Sequence, residues 1–137
     1  MSGETDLGRL LAGIAPALSP VEFGYACIDP ARPLPPDLET LATVREAEGL
    51  TVIAPARALA AAGIEHLPGW AMITLGVHSA LAAVGLTAAV SAALAEAGIS
   101  ANVVAGYHHD RVFVPWPARE RALAAIAALA RGAGSPG

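Results

Sequence analysis

The chain has 137 residues, enough for one ordinary domain or two very small ones, and a net charge of −4. Its positive charges are eight arginines scattered along the sequence, so it lacks the basic stripe that a nucleic-acid backbone requires, which argues against nucleic acid as a partner. Hydrophobic residues make up 55 % of the composition, but much of this is alanine, which packs helices closely without forming membrane spans.

One stretch without a formally charged side chain, His66 to Ala95, is long enough to cross a bilayer. Glycines and polar side chains interrupt it and its periodicity changes midway, so a strand, a loop and a helix explain it better than a membrane span. No basic segment precedes the first apolar run, which therefore does not resemble a signal peptide. We expect a cytoplasmic protein with no membrane partner.

The front half begins with a predicted strand, Glu22 to Ile28, that contains the only cysteine, Cys27. We expect this cysteine to be a buried small hydrophobic side chain, since it cannot form an intramolecular disulfide. A segment with three prolines follows, Ala31 to Pro36. Farther along, the polar turn Glu46 to Glu48 leads into an apolar stretch of strand character, and Ile64 to Leu67 is a candidate short fourth strand.

The back half opens with Ala71 to Ser79, where apolar residues alternate with a period of two, as in a half-buried strand. Leu86 to Ala97 then predicts a helix that Gly98 closes with a positive φ. Ile99 to Tyr107 and Arg111 to Pro115 form a predicted hairpin.

A last helix is predicted from Pro117 to Arg131, because proline suits a first helical position and arginine a last turn. The remaining residues, 132–137, are expected to be a disordered tail. The two halves also resemble each other: Pro55-Ala56-Arg57 falls on Pro117-Ala118-Arg119 at an offset of 62 residues. We interpret residues 1–66 as an abbreviated first module, in which the proline-rich segment replaces a helix, and residues 67–131 as a second module.

The motifs ITL at 73–75, HS at 78–79, VGLTAAV at 84–90, LAEAGIS at 94–100 and NVVAGYHHD at 102–110 resemble those of small bacterial tandem-ACT proteins, as does REAEGLT at 45–51. The resemblance extends over roughly residues 5–131. It implies an α+β fold of two tandem ferredoxin-like βαββαβ modules, the first abbreviated, with antiparallel sheets and helices on one face. It also implies small effectors, commonly amino acids, bound between paired modules, without catalytic residues.

One departure from the family pattern is that no obvious fourth strand follows Arg131. Residues 7–18 or a second chain could complete that sheet edge, because an uncovered edge invites pairing.

A zwitterionic amino acid needs amide donors for its carboxylate and oxygen acceptors for its ammonium group. The turn from Ser79 to Thr87 ends at a helix start, where unpaired backbone N–H groups bind anions, and Gly85 would let a ligand approach the main chain. Three alternatives stay open: Gly85 as a mere turn residue, Thr87 as a helix cap, and Asn102 as a buried amide in a structural bond. The candidate ligand-binding residues are His78, Ser79, Val84, Gly85, Leu86, Thr87, Asn102, Val103 and Val104.

Metal binding and catalysis are disfavoured. His108 and His109 are adjacent, so in an extended strand they point to opposite faces, and no third ligand joins them and Asp110. The sequence contains neither a nucleophile elbow nor a nucleotide-binding glycine motif. We therefore predict no catalytic residue, no metal and no cofactor.

The favoured function is an amino-acid-binding regulatory or sensor protein that works as a homodimer. A structural interaction module that has lost its ligand site is the main alternative, and a small metal-dependent enzyme is a third.

Overall fold

A computed structural model of the chain describes residues 6–77 and 85–133. In chain order its elements are α1 (Leu7–Ala12), β1 (Pro16–Ile28), β2 (Ala42–Glu46), β3 (Gly49–Pro55), α2 (Ala56–Ala61), β4 (Leu67–Leu75), α3 (Leu86–Glu96), β5 (Asn102–Ala105), β6 (Asp110–Pro115), a 3-10 turn (Trp116–Ala118) and α4 (Arg119–Ala133). They form two compact units. The larger contains the described residues of Met1–Ser19 and Ala71–Gly137, and the smaller contains Pro20–Trp70.

The larger unit contains strands in the order β1, β4, β6, β5, to which β1 contributes its first residues. Beside β4, the amide of Gly76 donates to the carbonyl oxygen of Ile14 over 2.8 Å. The N-terminal residues therefore supply the fourth strand that the sequence lacks after Arg131. β5 and β6 pair antiparallel from Asn102 opposite Phe113 to Ala105 opposite Asp110, as predicted for this hairpin.

The core of the larger unit lies between its sheet and three helices. Alternate residues of β4 are fully buried, namely Ala71, Ile73 and Leu75, which confirms the predicted period of two. Each helix adds side chains at helical spacing, including Leu86, Val90 and Leu94 from α3, Ala122 and Ile126 from α4, and Leu10 from α1. The helices thus cover one face of the sheet, as the family resemblance implies.

The smaller unit contains strands in the order β2, β3, β1, β4. β1 and β3 pair antiparallel from Phe23 opposite Pro55 to Ile28 opposite Leu50, and β2 joins β3 through a tight turn in which Glu46 faces Gly49. Its core is smaller because α2 is its one helix among the described residues; the core side chains are Ala26, Ile28, Val52, Ala54 and Leu59. The segment 29–41 is irregular, as its prolines predict.

The end of α3 agrees with the sequence. Gly98 has φ +72°, and the amides of Gly98 and Ile99 donate to the carbonyl oxygens of Ala95 and Leu94 over 3.0 and 2.9 Å. This pattern satisfies the last carbonyls of a helix and requires a left-handed residue, which glycine supplies without a Cβ clash.

Several predicted details differ from the structure. The strand placed at Ala71 to Ser79 is β4, Leu67–Leu75. The predicted short strand Ile64 to Leu67 does not form separately, because residues 64–66 precede β4 and Leu67 is its first residue. α4 continues to Ala133, two residues past its predicted end; residues 134–137 lie outside the described residues. Cys27 is exposed, not buried, because it lies on the face of β1 opposite the core residues Ala26 and Ile28.

The internal repeat holds at a different offset. Pro55 and Pro115 both end a strand with nearly the same backbone angles, φ −51° and ψ 132° against φ −55° and ψ 135°. The buried residues Val52 to Ala54 then match Val112 to Val114, an offset of 60 residues instead of 62. The offset of 62 was wrong because it aligned two Pro-Ala-Arg sequences that occupy different turns.

Among the described residues, no helix combines the length and apolar character needed to cross a bilayer.

Candidate functional site

The predicted corner between β4 and α3 lies in the larger unit, and Gly85 begins its helix. Gly85 has φ +101° and ψ −20° and carries no side chain that could cap α3. The first amides of an 11-residue helix therefore point out of its end with no cap from this residue. Such amides attract an anion, because they add to the positive end of the helix dipole.

An apolar side chain from α1 lies against this corner. A Cβ added at Gly85 would lie 3.0 Å from Cδ2 of Leu7. Glycine at this position therefore leaves space for the Leu7 side chain, and it also permits the positive φ of the turn. Leu7 is itself 38 % exposed, and it is held there by α1, whose start is capped by Asp6 accepting from the amide of Arg9 over 3.1 Å. The sequence did not indicate this contact, since the two residues are far apart along the chain.

The neighbours of Gly85 differ in exposure. Leu86 is 3 % exposed and belongs to the core, so it offers a ligand its backbone amide rather than its side chain. Thr87 is exposed in the first turn of α3. The interpretation of Thr87 as the N-cap is wrong, because Gly85 holds that position and the helix begins at Leu86, two residues before a helix capped by Thr87 would begin. His78, Ser79 and Val84 lie outside the described residues.

The three candidates on β5 are divided between the two faces of the sheet. Val103 packs against the helix-side core, and Asn102 and Val104 alternate with it and face away from the helices. Asn102 is exposed, so it is not a buried amide as the sequence suggested. Its carboxamide makes no hydrogen bond to another described residue, which leaves it available to a ligand.

Gly85 and Asn102 lie at opposite ends of α3. The helix Leu86–Glu96 rises about 16 Å along its axis, and Asn102 follows the turn at its far end. β5 is also an edge of the larger unit's sheet, so one side of its backbone is open to pairing. One chain alone does not bring the two halves of the predicted site together.

The hairpin turn after β5 touches the end of β4. Nδ1 of His109 donates to the carbonyl oxygen of Val77 over 3.3 Å, which fits the turn-histidine interpretation, and His108 stacks edge-on against Tyr107 at 4.9 Å between ring centroids. Burial raises the pKa of Asp110, and the nearby His109 partly lowers it. No group of three metal-ligating side chains occurs among residues 6–77 and 85–133.

The smaller unit contains a cavity that the sequence did not reveal. It has a volume of about 570 Å³ and lies where the end of β1, the proline-rich segment and the end of α2 meet. Its lining includes Cys27, Asp29, Arg32 and Glu65. The sequence did predict that a proline-rich segment replaces a helix in this unit. That prediction alone does not say whether the space of the missing helix is filled or left as a cavity.

Comparison with known proteins identifies the class of protein. Both halves of the chain match ACT domains, which are regulatory and not catalytic. Residues 2–68 match one ACT domain pattern and residues 65–128 match a second. The chain therefore belongs to the ACT domain family, as the motifs in its back half suggested, and it contains two such domains in tandem. No curated protein matches it significantly.

Solved structures agree with this assignment. A protein of unknown function from Vibrio cholerae, described as a possible transport protein, is 41 % identical, with a TM-score of 0.78 over 90 % of this chain and 95 % of its own. A protein from Agrobacterium tumefaciens is 18 % identical, with a TM-score of 0.68 over 80 % of this chain and 84 % of its own. The regulatory subunit of aspartate kinase from Thermus thermophilus is 15 % identical, with a TM-score of 0.60 over 83 % of this chain and 95 % of its own. The last two similarities concern the fold alone.

Proposed function

We propose that this protein is a cytoplasmic, non-catalytic regulator that binds a free amino acid as a homodimer. The observation that carries the proposal is the start of α3, where Gly85 presents backbone amides without a side-chain cap. These amides would bind the ligand carboxylate. ACT domains are regulatory, and a solved structure of similar fold is that of Escherichia coli aspartokinase III in complex with aspartate and ADP.

The positions of the candidate residues support the proposed homodimer. Gly85 and Asn102 lie at opposite ends of α3, and β5 is an edge strand with open backbone groups. If two copies pair along β5, Asn102 of each copy can approach the helix start of the other. The carboxamide oxygen of Asn102 would then accept from the ligand's ammonium group, while the first amides of α3 hold its carboxylate. We place His78, Ser79, Val84, Leu86, Thr87, Val103 and Val104 around the same ligand.

The test combines a thermal-shift panel of the free amino acids with light scattering at several protein concentrations. We expect one or a few amino acids to raise the melting temperature, since a ligand that binds only the folded state stabilises it by mass action. The same amino acids should raise the dimer fraction. Asn102→Ala should abolish both effects. Ser100→Ala should keep them, because Ser100 is an exposed polar residue in the turn that precedes β5.

A flat panel with wild-type protein would refute the proposal and favour a structural interaction module that has lost its ligand site. Ligand binding by a strict monomer would refute the shared site while leaving the regulatory role in place.

A further inference from the structure

The smaller unit is short of one helix, and the segment in its place leaves space. Residues 29–41 touch the core through Leu34 and Leu38, and the amide of Leu41 ties the end of the segment to the carbonyl oxygen of Ile53 over 2.7 Å. A helix would place a side chain on the sheet every three or four residues. The proline-rich segment places only these two on the core, and the cavity of about 570 Å³ remains beside them.

The size and walls of this cavity suit a small molecule. Its volume falls in the usual range for ligand sites. Its apolar walls come from Ile28, Pro33, Pro35 and Ile64. Two further hollows of about 430 and 380 Å³ share walls with it, the first through Pro35 and the second through Arg32.

Two of the three charged side chains that line the cavity have no partner among the described residues. The guanidinium of Arg32 and the carboxylate of Glu65 make no hydrogen bond or ion pair to any other described residue. Asp29 uses one carboxylate oxygen to accept from the amide of Ala31 over 2.9 Å, which fixes its direction and leaves the second oxygen. One cation and two anions therefore surround the same space.

We propose that this cavity is a second ligand site, specific for an α-amino acid with a positively charged side chain. Arg32 would bind the ligand's carboxylate through paired N–H donors. Asp29 and Glu65 would accept from its α-ammonium group and from its cationic side chain. The two carboxylates and one guanidinium give the site a net charge of −1. A ligand with one net positive charge neutralises it, whereas the carboxylates would repel an acidic amino acid. The site lies within the smaller unit and does not rest on the amino-acid site proposed above.

Cys27 provides a direct assay, because it is the only cysteine of the chain, is exposed and lines this cavity. The rate at which Ellman's reagent modifies Cys27 is measured in native full-length protein, with and without L-lysine or L-arginine. At a ligand concentration ten times the dissociation constant measured by calorimetry, modification should slow about tenfold, since only free protein reacts. L-Glutamate should not protect, and L-alanine should protect more weakly than L-lysine.

Three variants separate the two sites. Arg32→Gln should weaken L-lysine binding about tenfold or more, since charge-assisted hydrogen bonds are the strong ones. Arg57→Gln is the matched control: it makes the same charge change in the same unit, but Arg57 does not line this cavity and pairs at the surface with Glu39 at 3.5 Å. It should leave binding unchanged. Asn102→Ala should also leave the protection of Cys27 unchanged.

Each possible result either supports the second site or overturns it. Protection of Cys27 by L-lysine that is lost in Arg32→Gln supports the second site, even if Asn102→Ala shows that the larger unit binds nothing. Binding heat that disappears in Asn102→Ala, with no protection of Cys27, supports only the site in the larger unit and overturns this inference. Equal protection by L-glutamate and L-lysine, or equal binding by Arg32→Gln and wild type, also overturns it.

Discussion

Replacing Gly85 with alanine tests the packing at the corner most directly, because two separate costs meet there. The first is conformational: φ +101° and ψ −20° lie outside the small left-handed region open to other residues, which costs on the order of 1–3 kcal/mol. The second is steric, since the new Cβ would lie 3.0 Å from Cδ2 of Leu7. We expect Gly85→Ala to lower the free energy of unfolding by about 2–4 kcal/mol in total.

Gly98→Ala is a matched control for the conformational part. Gly98 also has a positive φ, +72°, but a Cβ there would meet nothing within 4 Å. Its substitution should cost about 1–2 kcal/mol. Adding Leu7→Ala to Gly85→Ala should recover part of the steric cost, whereas adding it to Gly98→Ala should recover none.

Urea unfolding followed by far-ultraviolet circular dichroism measures these differences, with protein concentration held constant because a dimer would make stability depend on it. Equal losses for Gly85→Ala and Gly98→Ala, with no coupling to Leu7→Ala, would mean that Leu7 does not lie against Gly85 in solution.

Three further outcomes are expected. Ile126→Ala, at a fully buried position of α4, should cost about 2–5 kcal/mol in urea unfolding, and a loss below ~1 kcal/mol would contradict the described core. Asp6→Ala should remove about 1 kcal/mol from α1 and speed hydrogen exchange at the amide of Arg9; unchanged exchange would count against the cap. The pKa of Asp110 is raised in the folded state from its ordinary value of 3.8, so the protonated carboxyl favours folding and that stability is lost as pH rises through the folded pKa. Asp110→Asn should therefore be more stable than wild type near pH 7, with the gap closing below about pH 4; a gap that widens in acid would reverse the sign of the argument.

Much of the larger unit could be predicted because its patterns are local. The alternation along Ile73 and Leu75 and the glycine after α3 each constrain a few neighbouring residues, and the structure confirms both. The family motif in the back half added the order of elements. Local patterns do not identify which distant segment pairs with β4, so the sequence left two candidates for this sheet edge, and in the structure β1 pairs there.

The candidate sites were less predictable, because they depend on exposure and on distance. The sequence predicted that Gly85 and Asn102 belong to one site, but in the structure they lie at opposite ends of α3. Likewise, Cys27 lies in an apolar run, yet its register on β1 turns it away from the core. The ligand role of Gly85, Asn102 and their neighbours stays a prediction, as does the division of the sequence at residue 66.

The path of the chain sets an order for folding during synthesis. The smaller unit is continuous, Pro20–Trp70, so all of its residues are synthesised before those of α3 and α4. The larger unit needs Leu10 and Ile14 from the start of the chain together with Ile126 near its end, and contacts over such separations form slowly. The apolar side of the first helix therefore stays partly uncovered until α4 has been translated.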